Sequence, residues 1–138
     1  MTFSIAGRCP QTGMLGVAIT TSSIAVASRC PWARAGVGAV ATQNITDPSL
    51  GRKGLDLLAS GIAAPDALPQ LMRQNEYAAY RQVTMIDAAG CTAIWSGEKT
   101  LGTHGAASGR DCVAAGNLLR STDIPAVLVK AFENATGP

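Results

Sequence analysis

The sequence predicts an α+β fold in which helices cover the faces of antiparallel sheets. Two observations lead to this prediction. The N-terminal third of the chain carries strand-like segments, two amphipathic helices follow, and a second strand-rich region precedes a last helix. Strands and helices are thus segregated, whereas alternating βαβ units would favour a parallel sheet.

The first predicted elements are strands built from small and apolar residues. Residues 4–8 and 14–21 flank a Pro/Gly turn at residues 9–13, a pattern typical of an antiparallel hairpin. Residues 24–27 and 35–42 continue the apolar pattern. We expect these two segments to be strands that are covered on both faces.

The middle of the sequence predicts two helices. Asp47 can cap the first helix, and Pro48 suits its first turn. Apolar residues then follow at helical spacing: Leu50, Leu55, Leu57, Leu58 and Ile62. The helix is expected to end at Gly61. A second helix begins at residues 65–66, although Pro69 removes one of its backbone hydrogen bonds.

The rest of the chain predicts strands and a final helix. A second hairpin is expected from a strand at 81–87, a turn at 88–90 and a strand at 91–96. A glycine-rich loop at 97–109 and a further strand at 112–115 follow. The last helix is capped near Thr122 or Asp123, begins through Pro125 and ends at residues 137–138. Its apolar face holds Val127, Leu128, Ala131 and Phe132.

Composition predicts one globular domain over residues 1–138 and narrows the function. The chain is 47% hydrophobic and 14% charged, which is typical of a protein with a real core. Its net charge of +2 comes from scattered cations, and its aromatic content is 4%. Nucleic acid is therefore not an expected partner, because it requires a basic surface.

The sequence predicts a cytoplasmic protein that uses neither metal nor cofactor. It contains no apolar run of membrane-spanning length and begins with no basic-then-apolar segment, so no membrane association is expected. The four cysteines are widely spaced and there is one histidine, which is not a metal-binding pattern. We interpret the cysteines as small buried hydrophobic residues.

Thr2 follows Met1 directly and heads the first predicted strand. Removal of Met1 would give Thr2 both a hydroxyl and a free α-amine, which titrates near pH 8 and can act as a base at neutral pH. A threonine activated by its own amine is a known nucleophile for amide cleavage. With Met1 attached, Thr2 lacks that base.

Several segments resemble one protein family. They are the opening Met-Thr-Phe-Ser-Ile-Ala, residues 13–21, and above all Trp-Ala-Arg-Ala-Gly-Val-Gly-Ala-Val-Ala-Thr-Gln at 32–43. Further matching segments lie at 54–58, 80–82 and 116–119. On these residues the chain is identified as a member of domain of unknown function 1028 (DUF1028), and the resemblance covers essentially the whole chain.

The resemblance implies a fold and a reaction. The family is similar to N-terminal nucleophile (Ntn) hydrolases, which share a four-layer αββα sandwich with proteasome subunits and bacterial ATP-dependent peptidases. It implies that Thr2 attacks the carbonyl carbon of a small amide or peptide-like substrate. It also implies that the chain lacks a C-terminal helix and strand, as a fragment or one product of a longer precursor would. In a processed precursor, the nucleophile could instead head the second chain.

Other candidate residues follow from Thr2. Thr20, Thr21 and Ser22 end the second strand, which returns beside Thr2 in a hairpin, so they can orient its amine or carry its proton. The alternative is that they only cap a polar strand end. Arg34 is the cation closest to the place where Ntn hydrolases carry a pKa-lowering lysine, with a surface salt bridge as the alternative.

Two loops complete the candidate site. Gln43 and Asn44 precede the first helix, where N–H groups could hold a developing oxyanion. His104 lies in the glycine-rich loop and could bind a substrate carboxylate, or it could be an exposed histidine without a role. A rival enzyme hypothesis pairs His104 with Cys30 or Cys112, both of which we expect to be packed.

The non-enzymatic alternative is a binding or scaffold module that keeps this fold. In either case, the apolar sheet edge left open by the missing elements predicts a homo-oligomer or association with a missing C-terminal chain.

Overall fold

The computed structural model describes residues 1–137, which form two sheets and three α-helices. In chain order the elements are β1 (Thr2–Arg8), β2 (Leu15–Thr21), β3 (Pro31–Arg34), β4 (Gly38–Gln43), α1 (Ser49–Ala59), α2 (Ala64–Arg73), β5 (Gln82–Asp87), β6 (Thr92–Ser96), β7 (Gly105–Gly109), β8 (Cys112–Asn117) and α3 (Ile124–Glu133).

Both sheets have four strands, and every pairing is antiparallel. Their strand orders are β2-β1-β8-β7 and β3-β4-β5-β6. We call the first sheet A and the second sheet B. The predicted α+β class with antiparallel sheets is therefore confirmed. No helix in residues 1–137 is both long enough and apolar enough to cross a membrane.

The two sheets face each other and carry helices on their outer surfaces. Ala6 and Val113 of sheet A meet Ala39 and Ile86 of sheet B, and these mostly small side chains let the sheets approach closely. Helices α1 and α2 cover the other face of sheet B through a larger apolar cluster, and α3 covers part of sheet A around Val129. The order of layers is helix, sheet, sheet, helix.

The first hairpin, the second hairpin and all three helices were predicted from sequence. The Asp47 carboxylate accepts a hydrogen bond from the Ser49 backbone N–H at 3.0 Å, which stabilises the start of α1 as expected of a cap. Pro69 lies inside α2. The last helix ends at Glu133, earlier than predicted, and Pro138 lies outside the described residues.

One strand prediction is wrong, and another begins too early. Residues 24–27 form no strand: Ala25 has a left-handed φ of 53°, and a 3-10 turn covers Val26–Ser28. The strand predicted at residues 35–42 is confirmed over residues 38–42, which lie in β4; residues 35–37 are instead the turn after β3, where Gly36 has a φ of 70° that favours glycine. Small apolar residues alone could not distinguish a continuous strand from a hairpin.

The segment 97–109, predicted to be a loop throughout, contains strand β7 at its end. Its sequence, Gly-Ala-Ala-Ser-Gly, lacks the β-branched and aromatic residues that usually indicate a strand. It becomes a strand because its backbone pairs with β8, with Gly105 opposite Gly116 and Gly109 opposite Cys112. Strand β8 itself extends two residues beyond the prediction, to Asn117.

Candidate functional site

A polar pocket of about 220 Å³ lies at the end of the sandwich where β1 begins and β4 and β8 end. It lies between the two sheets, and residues of the loops that follow β2 and β4 line it. The residues that line it are Met1, Thr2, Thr21, Ser22, Ser23, Val26, Arg29, Cys30, Gln43, Asn44, Ile45, Thr46, Leu101, Asn117 and Leu118.

Thr2 stands at the head of β1 with polar neighbours on both sides. In sheet A it lies opposite Thr21 of β2 and Asn117 of β8. The Thr2 and Thr21 hydroxyl oxygens are 2.8 Å apart and share a hydrogen bond. The α-amine of Met1 donates a hydrogen bond to Ser22 Oγ at 3.2 Å. The antiparallel return of β2 therefore surrounds the chain start with hydroxyl groups.

A buried chain of amide side chains connects the pocket floor to both sheets. Ser4 Oγ donates to Gln43 Oε1 at 2.8 Å, and Gln43 Nε2 donates to Gln82 Oε1 at 2.8 Å. Asn117 Nδ2 donates to the same Gln82 oxygen at 3.2 Å, and Gln82 Nε2 donates to the Gly116 carbonyl of sheet A at 3.1 Å. Hydrogen bonding of this kind holds Gln43 and Asn117 in one conformation.

The pocket wall after β4 has an unusual backbone. Asn44 and Ile45 have consecutive left-handed φ angles of 59° and 49°, and a β-branched residue rarely adopts such a conformation. The Asn44 side chain holds the corner: its Nδ2 donates to the Tyr80 carbonyl at 2.5 Å, and its Oδ1 accepts from the Leu101 N–H at 3.0 Å. Arg81 donates to the Ile45 carbonyl.

Leu118 on the opposite wall also has a left-handed φ, of 51°. Strained backbone is thus concentrated at the pocket, as is common at functional sites.

Below this wall, Asp47 anchors the turn that leads into α1. Burial alone would raise the pKa of Asp47, but hydrogen bonds from Ser49 and Asn75, together with the positive charge of Arg81, bring that pKa below its usual value. The carboxylate is therefore ionised at neutral pH, and its two oxygens accept hydrogen bonds from the Ser49 backbone N–H and from Asn75 Nδ2.

The structure brings together five of the residues that the sequence suggested. Thr2, Thr21, Ser22, Gln43 and Asn44 all line the pocket. They come from the hairpin of β1 and β2 and from the end of β4, and the antiparallel pairing of β1 with β2 and the packing of sheet A on sheet B unite them.

The three other suggested residues lie outside the pocket lining. Thr20 precedes Thr21 and therefore points to the opposite, exposed face of β2. Arg34 forms an exposed ion pair with Asp56 of α1 at 2.9 Å. His104 is exposed, and its Nδ1 lies 2.9 Å from the Gly102 carbonyl oxygen.

The two cysteines of the rival hypothesis lie in different layers. Cys30 is buried and lines the pocket, with its Sγ 3.7 Å from Thr46 Oγ1. Cys112 is fully buried beneath α3, where burial raises the pKa of its thiol and the charge of Glu133 adds to that effect. Among residues 1–137, no three His, Cys, Asp or Glu side chains are grouped to hold a metal ion.

Arg29, Gln82 and Asn117 are site residues that sequence reasoning did not assign. Asn117 belongs to a segment that resembles DUF1028, and a polar residue at a strand end was a usable signal. Its position beside Thr2 depends on the pairing of β1 with β8, the first and last strands of the described chain. Nothing local in the sequence indicates that pairing.

The fold and the pocket define the class: an α+β protein with two facing antiparallel sheets, helices on both outer faces and a polar pocket at one end of the sheets. The chain belongs to DUF1028, described as a family of unknown function, and the family match covers residues 2–138. The family recognised from the sequence is therefore confirmed.

A solved structure shares the whole arrangement. The chain is similar to the crystal structure of a DUF1028 protein from Silicibacter pomeroyi, with a TM-score of 0.94 and 27% identity over 99% of this chain. It spans 64% of that protein's length. No curated protein matches the chain.

Proposed function

We propose that this chain is an amide hydrolase of the N-terminal nucleophile type, in which Thr2 becomes the nucleophile once Met1 is removed. One observation carries the proposal: the hydroxyl of the residue that heads β1 lines a polar pocket between two sheets and is hydrogen-bonded to Thr21. The helix, sheet, sheet, helix order supports it further, because this is the layer order of the αββα sandwich of Ntn hydrolases.

The reaction has two stages. The free α-amine of Thr2 takes the proton from Oγ1 as that oxygen attacks the substrate carbonyl carbon. The C–N bond of the resulting tetrahedral intermediate breaks, the leaving amine takes the proton, and the acyl group remains on Oγ1 as an ester. Water, deprotonated by the same α-amine, then attacks the ester, releases a carboxylic acid and restores the hydroxyl.

Thr21 and Ser22 orient the nucleophile in this proposal. The Thr21 hydroxyl holds Thr2 Oγ1 at 2.8 Å, and we assign Ser22 Oγ, which accepts from the Met1 amine, to accept from the newly exposed amine of Thr2. Such groups act mainly by aligning the oxygen, the proton and the base, and they alter the basicity of the α-amine less.

We assign stabilisation of the oxyanion to the corner after β4. Gln43 and Asn44 line the pocket, and each carboxamide carries two N–H groups, one of which makes the internal hydrogen bond described above. Donors held rigidly in advance are the most effective, because they need not reorganise as charge develops. The internal hydrogen bonds would provide that rigidity.

The test is to produce the protein from a fusion that is cleaved directly before Thr2 and to assay it on a panel of small amides. The Thr2→Ser variant should retain measurable hydrolysis, whereas Thr2→Ala should lose at least about a thousandfold in kcat/KM. The matched control is the same protein with Met1 attached, verified by intact mass, which should also be inactive.

The proposal is wrong if Thr2→Ala or the Met1-bearing protein hydrolyses amides as well as the trimmed protein. A binding or scaffold module would hydrolyse none of the panel, and its ligand binding would be unaffected by the Thr2→Ala change.

A further inference from the structure

The charged groups that line the pocket are all positive. They belong to Arg29 and to the α-amine of Met1, which leaves with Met1 in the proposed active form, and no Asp or Glu is among the lining residues of the described chain. The other polar lining groups are neutral hydroxyls and carboxamides. A small cleft that contains an arginine and no carboxylate attracts anionic ligands.

Arg29 is held in place by its surroundings. Its backbone N–H donates to the Val26 carbonyl at 3.2 Å, its carbonyl accepts from Trp32 Nε1 at 3.1 Å, and its Nη1 donates to the Ile24 carbonyl at 2.5 Å. A guanidinium has five N–H groups, so most remain for a ligand after the single side-chain bond.

Arg29 also has no carboxylate partner within residues 1–137, where the ion pairs are Arg8 with Asp111 and Arg34 with Asp56. An arginine without a counter-ion at the wall of a polar pocket is suited to bind a carboxylate through two parallel hydrogen bonds.

We propose that Arg29 is the specificity residue of this pocket and that the substrate is a small amide bearing a free carboxylate, such as an N-acyl amino acid. This inference rests on the amide hydrolase function proposed above. A pocket volume of about 220 Å³ is below that usual for drug-sized ligands and fits a substrate of amino-acid size. Arg29 and Thr2 line the same pocket, so one small substrate would contact both residues.

The test measures binding separately from hydrolysis. N-acetyl amino acids and their carboxamides differ in charge while being nearly equal in size, so the two series form matched probes. Calorimetric titration of Met1-free Thr2→Ala protein, which cannot turn them over, should show carboxylates binding about 10 to 100 times more tightly than carboxamides.

Substitution identifies the cation responsible. Arg29→Gln should abolish the preference, and Arg29→Lys should retain part of it because the charge remains while the paired hydrogen bonds are lost. Arg52→Gln is the control, since Arg52 is exposed on α1 and outside the pocket lining. It should leave the preference unchanged.

The outcomes separate the two proposals. Equal binding of both series, no binding of any carboxylate, or an Arg29→Gln variant that keeps the preference would overturn the role of Arg29. Carboxylate-selective binding that depends on Arg29, in a protein whose Thr2 form hydrolyses no amide, would retain the subsite and contradict the hydrolase proposal. Amide hydrolysis that is unaffected by Arg29→Gln would instead retain the hydrolase proposal and contradict the role of Arg29.

Discussion

The hydroxyl oxygens of Thr2 and Thr21 lie 2.8 Å apart across the first two strands, and both residues line the pocket. Thr20, one residue away, points to the opposite face of the same strand. The two adjacent threonines can therefore be compared directly. Thr21 contacts the proposed nucleophile, whereas Thr20 lies in the same strand without that contact.

Replacing Thr21 by Val should lower kcat/KM for amide hydrolysis about 10- to 100-fold in trimmed protein, because it removes the hydroxyl that orients Thr2 and preserves the side-chain shape. Thr20→Val should leave the rate unchanged. Steady-state kinetics on one substrate measures both. Equal effects of the two substitutions would contradict the orienting role of Thr21.

Replacing Ile45 by Asn should raise the free energy of unfolding by about 0.5–1 kcal/mol, since asparagine tolerates a left-handed backbone better than a β-branched residue does. Ile45 is 54% exposed, so little apolar burial is lost.

Ile24→Asn is the control, because Ile24 is 88% exposed and lacks the left-handed φ. Urea titration should show no gain in stability for that variant. A loss of stability in Ile45→Asn would mean that the corner after β4 is not strained.

Replacing Gln82 by Leu should lower the free energy of unfolding by about 2–4 kcal/mol. Gln82 is fully buried, and its loss leaves the amide groups of Gln43 and Asn117 without their partner. Gln74→Leu, at an exposed position after α2, should change stability by less than about 0.5 kcal/mol. Comparable values for the two variants in urea unfolding would show that the cross-sheet network contributes nothing.

Asp47 should make stability depend on pH in the acid range. Because its pKa is lower in the folded chain than in the unfolded chain, the unfolded state binds more protons as pH falls. The stabilisation is complete above about pH 5 and is lost as the pH falls below about 4.

Asp47→Asn should therefore be less stable than the parent protein at pH 7, and the difference should shrink as the pH falls below about 4. Thermal unfolding at several pH values measures this. A difference that stays constant with pH would show that the charge of Asp47 is not what stabilises the turn.

Much of the fold could be predicted because its signals are local. The Asp47-Pro48 start and the leucine spacing of α1 depend on residues within a few turns of each other, and the first hairpin needs only its Pro/Gly turn. Strand β7 could not be predicted, because its Gly-Ala-Ala-Ser-Gly sequence becomes extended only through pairing with β8.

The candidate site shows the same division. Thr2 was identifiable because the chemistry proposed for it requires only its position beside Met1, and Thr21 and Ser22 followed from one hairpin. Arg29 gave no signal: it lies just after residues 24–27, which were predicted to be a strand, and it follows the 3-10 turn at Val26–Ser28 that the structure has there instead.

By itself, the sequence determined the α+β class, the family and the presence of a threonine that could become a nucleophile, since each depends on composition, periodicity or a contiguous motif. Only the tertiary structure decided which polar residues share a pocket, that β8 lies beside β1, and that Gln82 joins the two sheets. Those relationships connect residues about 35 to 115 positions apart, and long-range pairing depends on how whole sheets pack together.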